Sequence, residues 1–87
     1  MMDLFEVDKF AVIESPLSQV IDRDGETVRV DIYKGEDEEG WFLEIVDIYS
    51  NSTVWDETFE TEQQALDMAL SSIDKEGIKA FIDPDNQ

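Results

Sequence analysis

Residues 41–48 constrain this chain more than any other run. Trp41, Leu43 and Ile45 lie on one face of an extended strand, and Phe42, Val46 and Ile48 lie on the other. Only Glu44 and Asp47 interrupt the apolar sequence. Side chains of a strand alternate between two sides, so a run that is apolar on both reads as the central strand of a sheet. Both faces of that sheet then need cover. One helix covers only one face. Either the terminal segments, residues 4–13 and 78–82, cover the second, or it is an apolar patch of the kind that marks a protein interface.

The clearest helix signal begins at Thr61. Thr61-Glu62-Gln63-Gln64 reads as a capping box, in which the Thr hydroxyl accepts from the N–H three residues on and Gln64 reaches back to the cap N–H. Leu66, Ala69, Leu70 and Ile73 recur at i, i+3, i+4 and i+7, and Ala65 widens that apolar stripe. Glu62 and Asp67 lie towards the positive end of the helix dipole and Lys75 at its negative end. Gly77 suits the position after the last helical residue, with Ile78 making the hydrophobic contact beyond it. The helix is therefore expected over residues 61–76. Phe81 and Ile82 suggest a short final element packing back, and residues 83–87 a frayed tail.

Strand signals precede the helix. Val28, Val30 and Ile32 alternate with Arg29, Asp31 and Tyr33, the period of a half-buried strand. Asp22-Arg23-Asp24-Gly25 is a turn, with Gly25 supplying a positive φ, so Leu17 to Ile21 and Thr27 to Lys34 read as a hairpin. Gly35 to Gly40 is a loop carrying four adjacent acids, Glu36, Asp37, Glu38 and Glu39. Tyr49 to Ser52 is a further turn, and Thr53 to Phe59 a fourth strand with Thr53, Trp55, Glu57 and Phe59 on one face. Residues 1–16 fit two readings. Asp3 and Glu6 form a possible capping box for a helix with Leu4, Phe5, Ala11 and Val12 on one side, or Phe10 to Ile13 is a short strand. Pro16 ends either one. The fold expected is α+β, in a single domain over residues 1–87. Its antiparallel sheet has three to four strands, about 17–21, 27–34, 41–48 and 53–59, and the C-terminal helix packs on one face.

Charge and missing residue types narrow the function. Twenty-three Asp and Glu against six Lys and Arg leave a net charge of −17, with no His and no Cys. Phosphate-tracking nucleic-acid binding needs a basic stripe, so no direct contact with nucleic acid is expected. Without Cys there is no disulfide framework or thiolate nucleophile, and without His the usual general base and zinc ligand are missing. Asp22-x-Asp24-Gly25 departs from a calcium loop, because Thr27 and Tyr33 stand at its sixth and twelfth positions. No catalytic residues, metal ligands or cofactors are expected. Tyr33, Lys34 and Glu44 compose an acid–base triple no better than many others, so an enzyme or small-molecule binder is the contrasting class. Asn51-Ser52-Thr53 matches a glycosylation sequon but reads as a turn. Met1 to Pro16 lacks a basic start and a long apolar run, so neither a targeting signal nor a membrane span is expected, and the cytoplasm is the expected location.

The reading that remains is a small acidic protein-interaction domain, as a monomer or weak homodimer. Its candidate surface comprises Tyr33, Trp41, Phe42 and Trp55, with Glu36, Asp37, Glu38 and Glu39 as an acidic alternative suited to a basic partner. A related possibility is a mimic or inhibitor that occupies the basic groove of a nucleic-acid-binding protein in place of phosphate.

Several short runs add a resemblance. Pro16-Leu17-Ser18-Gln19, Asp24-Gly25-Glu26-Thr27-Val28 and Val30-Asp31-Ile32-Tyr33 come first. Gly40-Trp41-Phe42-Leu43-Glu44, Thr53-Val54-Trp55-Asp56, Phe59-Glu60-Thr61 and Ala65-Leu66 follow in the same order. Over roughly residues 16–80 the chain resembles a group of small uncharacterised bacterial proteins, a likeness that carries no activity and no site residue. Gly40-Trp41 and Thr61 to Leu66 also echo, at the level of fold, the HicB-type antitoxin domains, which run strands and then a helix. The chain departs from them in lacking a Pro-Asp-Leu-Pro-Gly-like segment after the central strand and an appended DNA-binding module. Fold alone does not imply function.

Overall fold

A computed structural model describes residues 12–84. Among them the element order is β1 (Val12–Glu14), β2 (Gln19–Arg23), β3 (Glu26–Gly35), β4 (Phe42–Asp47), β5 (Ser52–Val54), helix α1 (Glu62–Glu76) and a short 3-10 turn (Ile78–Phe81). The strands form one antiparallel sheet in the order β1-β3-β4-β5, and β2 also pairs with β3. The helix packs against it, giving the expected α+β fold with five strands rather than three or four.

The extra strand comes from the way Pro16 splits one edge. β1 pairs with Tyr33–Gly35 of β3, and β2 pairs with Glu26–Val30 of the same strand. Proline between them has no N–H to give to a ladder. Serines fill the gap. The Ser15 N–H donates to the Ile32 carbonyl at 2.8 Å. The Ser18 hydroxyl then accepts from the Ile32 N–H at 2.9 Å and donates to the Ile32 carbonyl at 3.2 Å. Ser15 is buried, and its own hydroxyl accepts from the Leu17 N–H at 3.0 Å and donates to Glu62 at the start of the helix. The turn runs from Ser15 to Ser18, whose N–H donates to the Ser15 carbonyl at 3.0 Å, so β2 begins two residues later than the expected 17–21. Of the expected strand Phe10–Ile13, Val12 and Ile13 lie in β1, which runs on to Glu14. Residues 1–11, with the alternative capping box at Asp3 and Glu6, lie outside the described residues.

The hairpin turn also sits one residue further on than Asp22–Gly25. Arg23 pairs with Glu26, leaving a two-residue loop in which Asp24 and Gly25 both have positive φ, 54° and 80°. That is a type I′ turn, whose twist matches the flanking strands and which Asp-Gly favours.

The fourth strand is shorter than expected. β5 covers only Ser52–Val54, followed by a last ladder bond from the Trp55 N–H to the Leu43 carbonyl. Pairing resumes as a single bridge between Trp41 and Phe59, so β4 does not reach 41 or 48 as a continuous strand. Only Phe42 separates Leu43 from Trp41, whereas Asp56, Glu57 and Thr58 separate Trp55 from Phe59, so these three residues bulge out of register. The bulge folds Thr58 onto Gly40. A Cβ at Gly40 would lie 2.5 Å from Thr58 Oγ1 and 2.6 Å from its Cβ, closer than atoms pack.

The core lies between the sheet and α1. Val28, Val30, Ile32, Leu43 and Ile45 from β3 and β4 are fully buried against Ala65, Leu66, Ala69 and Ile73 of the helix. Two alanines in the middle of the helix stripe let it lie close to the sheet. Leu70, expected in the stripe, is only half-buried at its margin. Thr61 caps the helix as expected: its Oγ1 accepts from the Gln64 N–H at 3.0 Å, and Gln64 Oε1 accepts from the N–H groups of Glu60 and Thr61. Gly77 ends it with φ 88° and ψ 143°, a conformation that side chains disfavour. Ile78 then returns into the core, and Phe81 stacks on Trp55 with ring centroids 6.2 Å apart.

The β4–β5 connection is organised by Asp47, which is 5% exposed. Its Oδ1 accepts from the N–H groups of Tyr49 and Asn51 at 2.9 and 2.8 Å. Its Oδ2 accepts from Asn51 Nδ2 at 3.1 Å and from the Asp83 N–H at 2.8 Å. Burial pushes this carboxyl group up, but the hydrogen bonds from Asp83, Asn51 and Tyr49 outweigh it and hold it below the ordinary aspartate range. Asn51 Nδ2 also donates to the Asp83 carbonyl at 2.8 Å, so the sequon asparagine joins a turn to the chain terminus. Asp83, expected to begin a frayed tail, is tied down on both sides of its backbone; residues 85–87 lie outside the described residues.

Candidate interaction surface

Strand alternation divides the candidate residues between the two faces of the sheet. Tyr33 pairs directly with Phe42, and both point away from the helix. Their rings stack with centroids 5.6 Å apart and planes inclined by 25°. Trp41 sits on the other side. It is 9% exposed, part of the core, and covered by Lys34, whose Nζ lies 5.1 Å from the ring centroid. Trp55 also packs against the core. The four expected aromatics therefore form two sets, and only Tyr33 and Phe42 share the open face. Glu36, Asp37, Glu38 and Glu39 are all exposed in the loop that joins β3 to β4, at the Tyr33–Phe42 end of the sheet.

Sequence reasoning missed the rest of this face. Register places three rows across it. Glu14, Tyr33 and Phe42 form the first. Asp31, Glu44 and Val54 form the second. Val20, Arg29, Val46 and Ser52 form the third. Val20, Ile48 and Val54 are 59%, 65% and 51% exposed. A shallow groove of about 190 Å³ runs between Val20, Arg29, Val46 and Ile48. The strand period was the available signal, since every second residue from Thr27 to Tyr33 and from Phe42 to Ile48 belongs here. Residues 78–82, one of the two segments expected to cover this face, pack on the helix side instead; residues 4–11 lie outside the described residues.

The middle row is electrostatically unusual. Asp31 and Glu44 stand directly opposite each other, and like charges at such a pair destabilise a sheet. Each has a hydrogen-bonding side chain beside it, and Arg29 also acts through its charge on Glu44. Arg29 Nε donates to both Asp31 oxygens at 3.0 and 3.1 Å, which raises the guanidinium pKa further. Tyr33 donates its hydroxyl to Glu44 Oε1 at 3.2 Å. Burial, then the charge and hydrogen bond of Glu44, push the phenol up, so it stays protonated as the donor.

Among the described residues no group of three or more His, Cys, Asp or Glu is placed to hold a metal ion, and no helix is long and apolar enough to cross a membrane. Asp22, the first residue of the calcium-like run, accepts from the Thr27 hydroxyl across the hairpin. Fold and surface together define a small α+β architecture in which, among the described residues, one sheet face is packed and the other is open. Comparison with known protein families, curated proteins and solved structures finds no match to this chain.

Proposed function

We propose that this is a non-enzymatic protein-interaction domain that binds its partner through the open face of the sheet. The observation that carries the reading is a set of apolar side chains that no described residue covers: half-buried Phe42 and Val46 of β4, and exposed Ile48 just beyond it, lie opposite a packed core, alongside Val20, Tyr33 and Val54. Apolar side chains gathered on one surface of a small domain favour burial by a partner. The flanking acids set the sign of the partner's charge and speed its approach.

Affinity capture from the source cell tests this with three forms of the full chain, each first shown to melt cooperatively. They are the native protein, Phe42→Ser with Val46→Ser, and a form with Gln or Asn at positions 36–39. A partner held by the native chain should be lost with the paired face substitutions and retained, with slower association, by the loop form. Retention by the face variant would remove the open face from the reading. Trp41→Ala and Trp55→Ala do not probe a surface, because both rings pack in or against the core.

A further inference from the structure

We infer that the partner presents a basic amphipathic helix whose contact stripe reads apolar, basic, apolar at one-turn spacing. This rests on the open face being the interaction surface and specifies what fits it. The face is two apolar shoulders with a carboxylate row between them. One shoulder is the Tyr33–Phe42 stack; the other is Val20, Val46 and Ile48 beside the groove, with Arg29 standing between Val20 and Val46 and held by Asp31. Asp31 and Glu44 occupy the row between. A like-charged pair across a sheet costs stability, and departures from local rules of this kind concentrate where a ligand offsets them. Arg29 bonds Asp31 and also acts through charge on Glu14 and Glu44, whereas the only side-chain hydrogen bond to Glu44 among the described residues comes from a neutral phenol; three carboxylates against one guanidinium leave a place for a further cation over this row. With Glu14 and Asp22 on the same face and Arg29 its sole cation among the described residues, the surface repels acidic partners and attracts basic ones.

Geometry selects the helix. A strand would add to a sheet edge, through backbone bonds, whereas this surface is lined by side chains and mirrors the face on which α1 lies. From Phe42 to Val46 the strand advances about 13 Å at roughly 3.3 Å per residue. Eight helical residues advance about 12 Å at roughly 1.5 Å each. Apolar side chains at i and i+8 thus meet the two shoulders, and a Lys or Arg at i+4 meets Asp31 and Glu44.

Two synthetic helical peptides of identical composition and net charge test the inference by separating position from bulk attraction to an acidic protein. Both carry Leu at i and i+8. One has Lys at i+4 and Gln on the back of the helix, and the other exchanges them. Each is titrated into the isotope-labelled full chain while backbone amide shifts are followed. The Lys-in-stripe peptide should shift amides of β3 and β4 and bind about fivefold more tightly, the upper end for an exposed ion pair. Glu44→Gln should abolish that preference while leaving the fold unchanged. Equal binding of both peptides at this face would overturn the basic-stripe inference and leave the face itself in place. Shifts confined to residues 36–39, or none on β3 and β4, would overturn the interaction reading as well. Sedimentation as a dimer through these strands, or proximity signals between them and residues 1–11, would assign the face to a second copy or to the chain's own start, and would also overturn it.

Discussion

The two faces of the sheet are made by neighbouring residues of the same strands, yet they obey different physics. On the helix side Val28, Val30, Ile32, Leu43 and Ile45 are sealed from water. On the open side the intervening positions hold Arg29, Asp31, Tyr33, Phe42, Glu44 and Val46, a mixture in which charges are bonded to each other and apolar groups touch solvent. The packed face of β3 and β4 is apolar except at Asp47, because the other buried side chains there contribute by excluding water. The open face is heterogeneous, which suits recognition better than stability. Adjacent residues of β4 allow the two roles to be separated without changing anything else.

The largest expected effect is on the packed side. Ile45→Ala removes a fully buried side chain and should cost about 2–5 kcal/mol, read as a fall in the urea midpoint with an unchanged slope. A loss below 1 kcal/mol would mean that the helix does not seal this face. Next comes Asp47, a polar group on the packed side of β4. Its carboxyl is held below the ordinary aspartate range, so its contribution is present above the unfolded-state pKa and is lost as pH falls through the folded-state value. Acid also relieves repulsion among the remaining carboxylates, so the informative quantity is a difference. Asp47→Asn places an amide donor against the donors Asn51 and Asp83. It should therefore be less stable than the native chain at neutral pH, with the gap narrowing in acid. A gap independent of pH would show that Asp47 acts by shape alone.

Asp47 also shows what the residues disclosed and what they hid. The helix and the β2–β3 hairpin were legible because their signals are local: Thr61 and Gln64 satisfy a helix end within four residues, and Asp24-Gly25 closes a two-residue turn. The sequence shows Asp47 only as an interruption of an apolar run; it shares the buried face with Leu43 and Ile45, and one of its partners, Asp83, lies far along the chain. The bulge at residues 56–58 was hidden for the same reason. Nothing within Thr53 to Phe59 marks it, and its complement is Gly40, at the end of the loop that joins β3 to β4. Of the candidate surface, alternation identified Phe42 and Tyr33. Trp41 and Trp55 were grouped with them by residue type, although register and packing assign both rings to the core side.

Two smaller effects sharpen the packed side. Gly40→Ala places a methyl group inside Thr58 and should cost about 1–3 kcal/mol through the forced backbone shift. Thr58→Gly in the same chain should recover part of that loss in a thermal melt. Thr61→Ala removes the hydroxyl that caps α1 and should cost about 1 kcal/mol. If either change proves silent, the bulge or the cap contributes less to helix-side packing than its geometry implies.

The smallest expected effect is the one that decides whether the faces differ in solution. Val46 adjoins Ile45 in β4 but points the other way, into the open groove, and a threonine has nearly its shape with a hydroxyl in place of one methyl. On a water-facing surface that hydroxyl stays hydrated, so Val46→Thr should change stability by no more than about 0.5 kcal/mol. Beneath a cover the same hydroxyl would be stripped of water without a partner, at about 1–3 kcal/mol. Urea unfolding at two protein concentrations separates the cases. A small change at both leaves the face open and free to receive a partner. A large cost that disappears on dilution assigns the cover to a second copy of the chain, and a large cost at every concentration assigns it to residues 1–11 of the same molecule. Either large result would erase the contrast between the two faces, because the heterogeneous one would then also be a core.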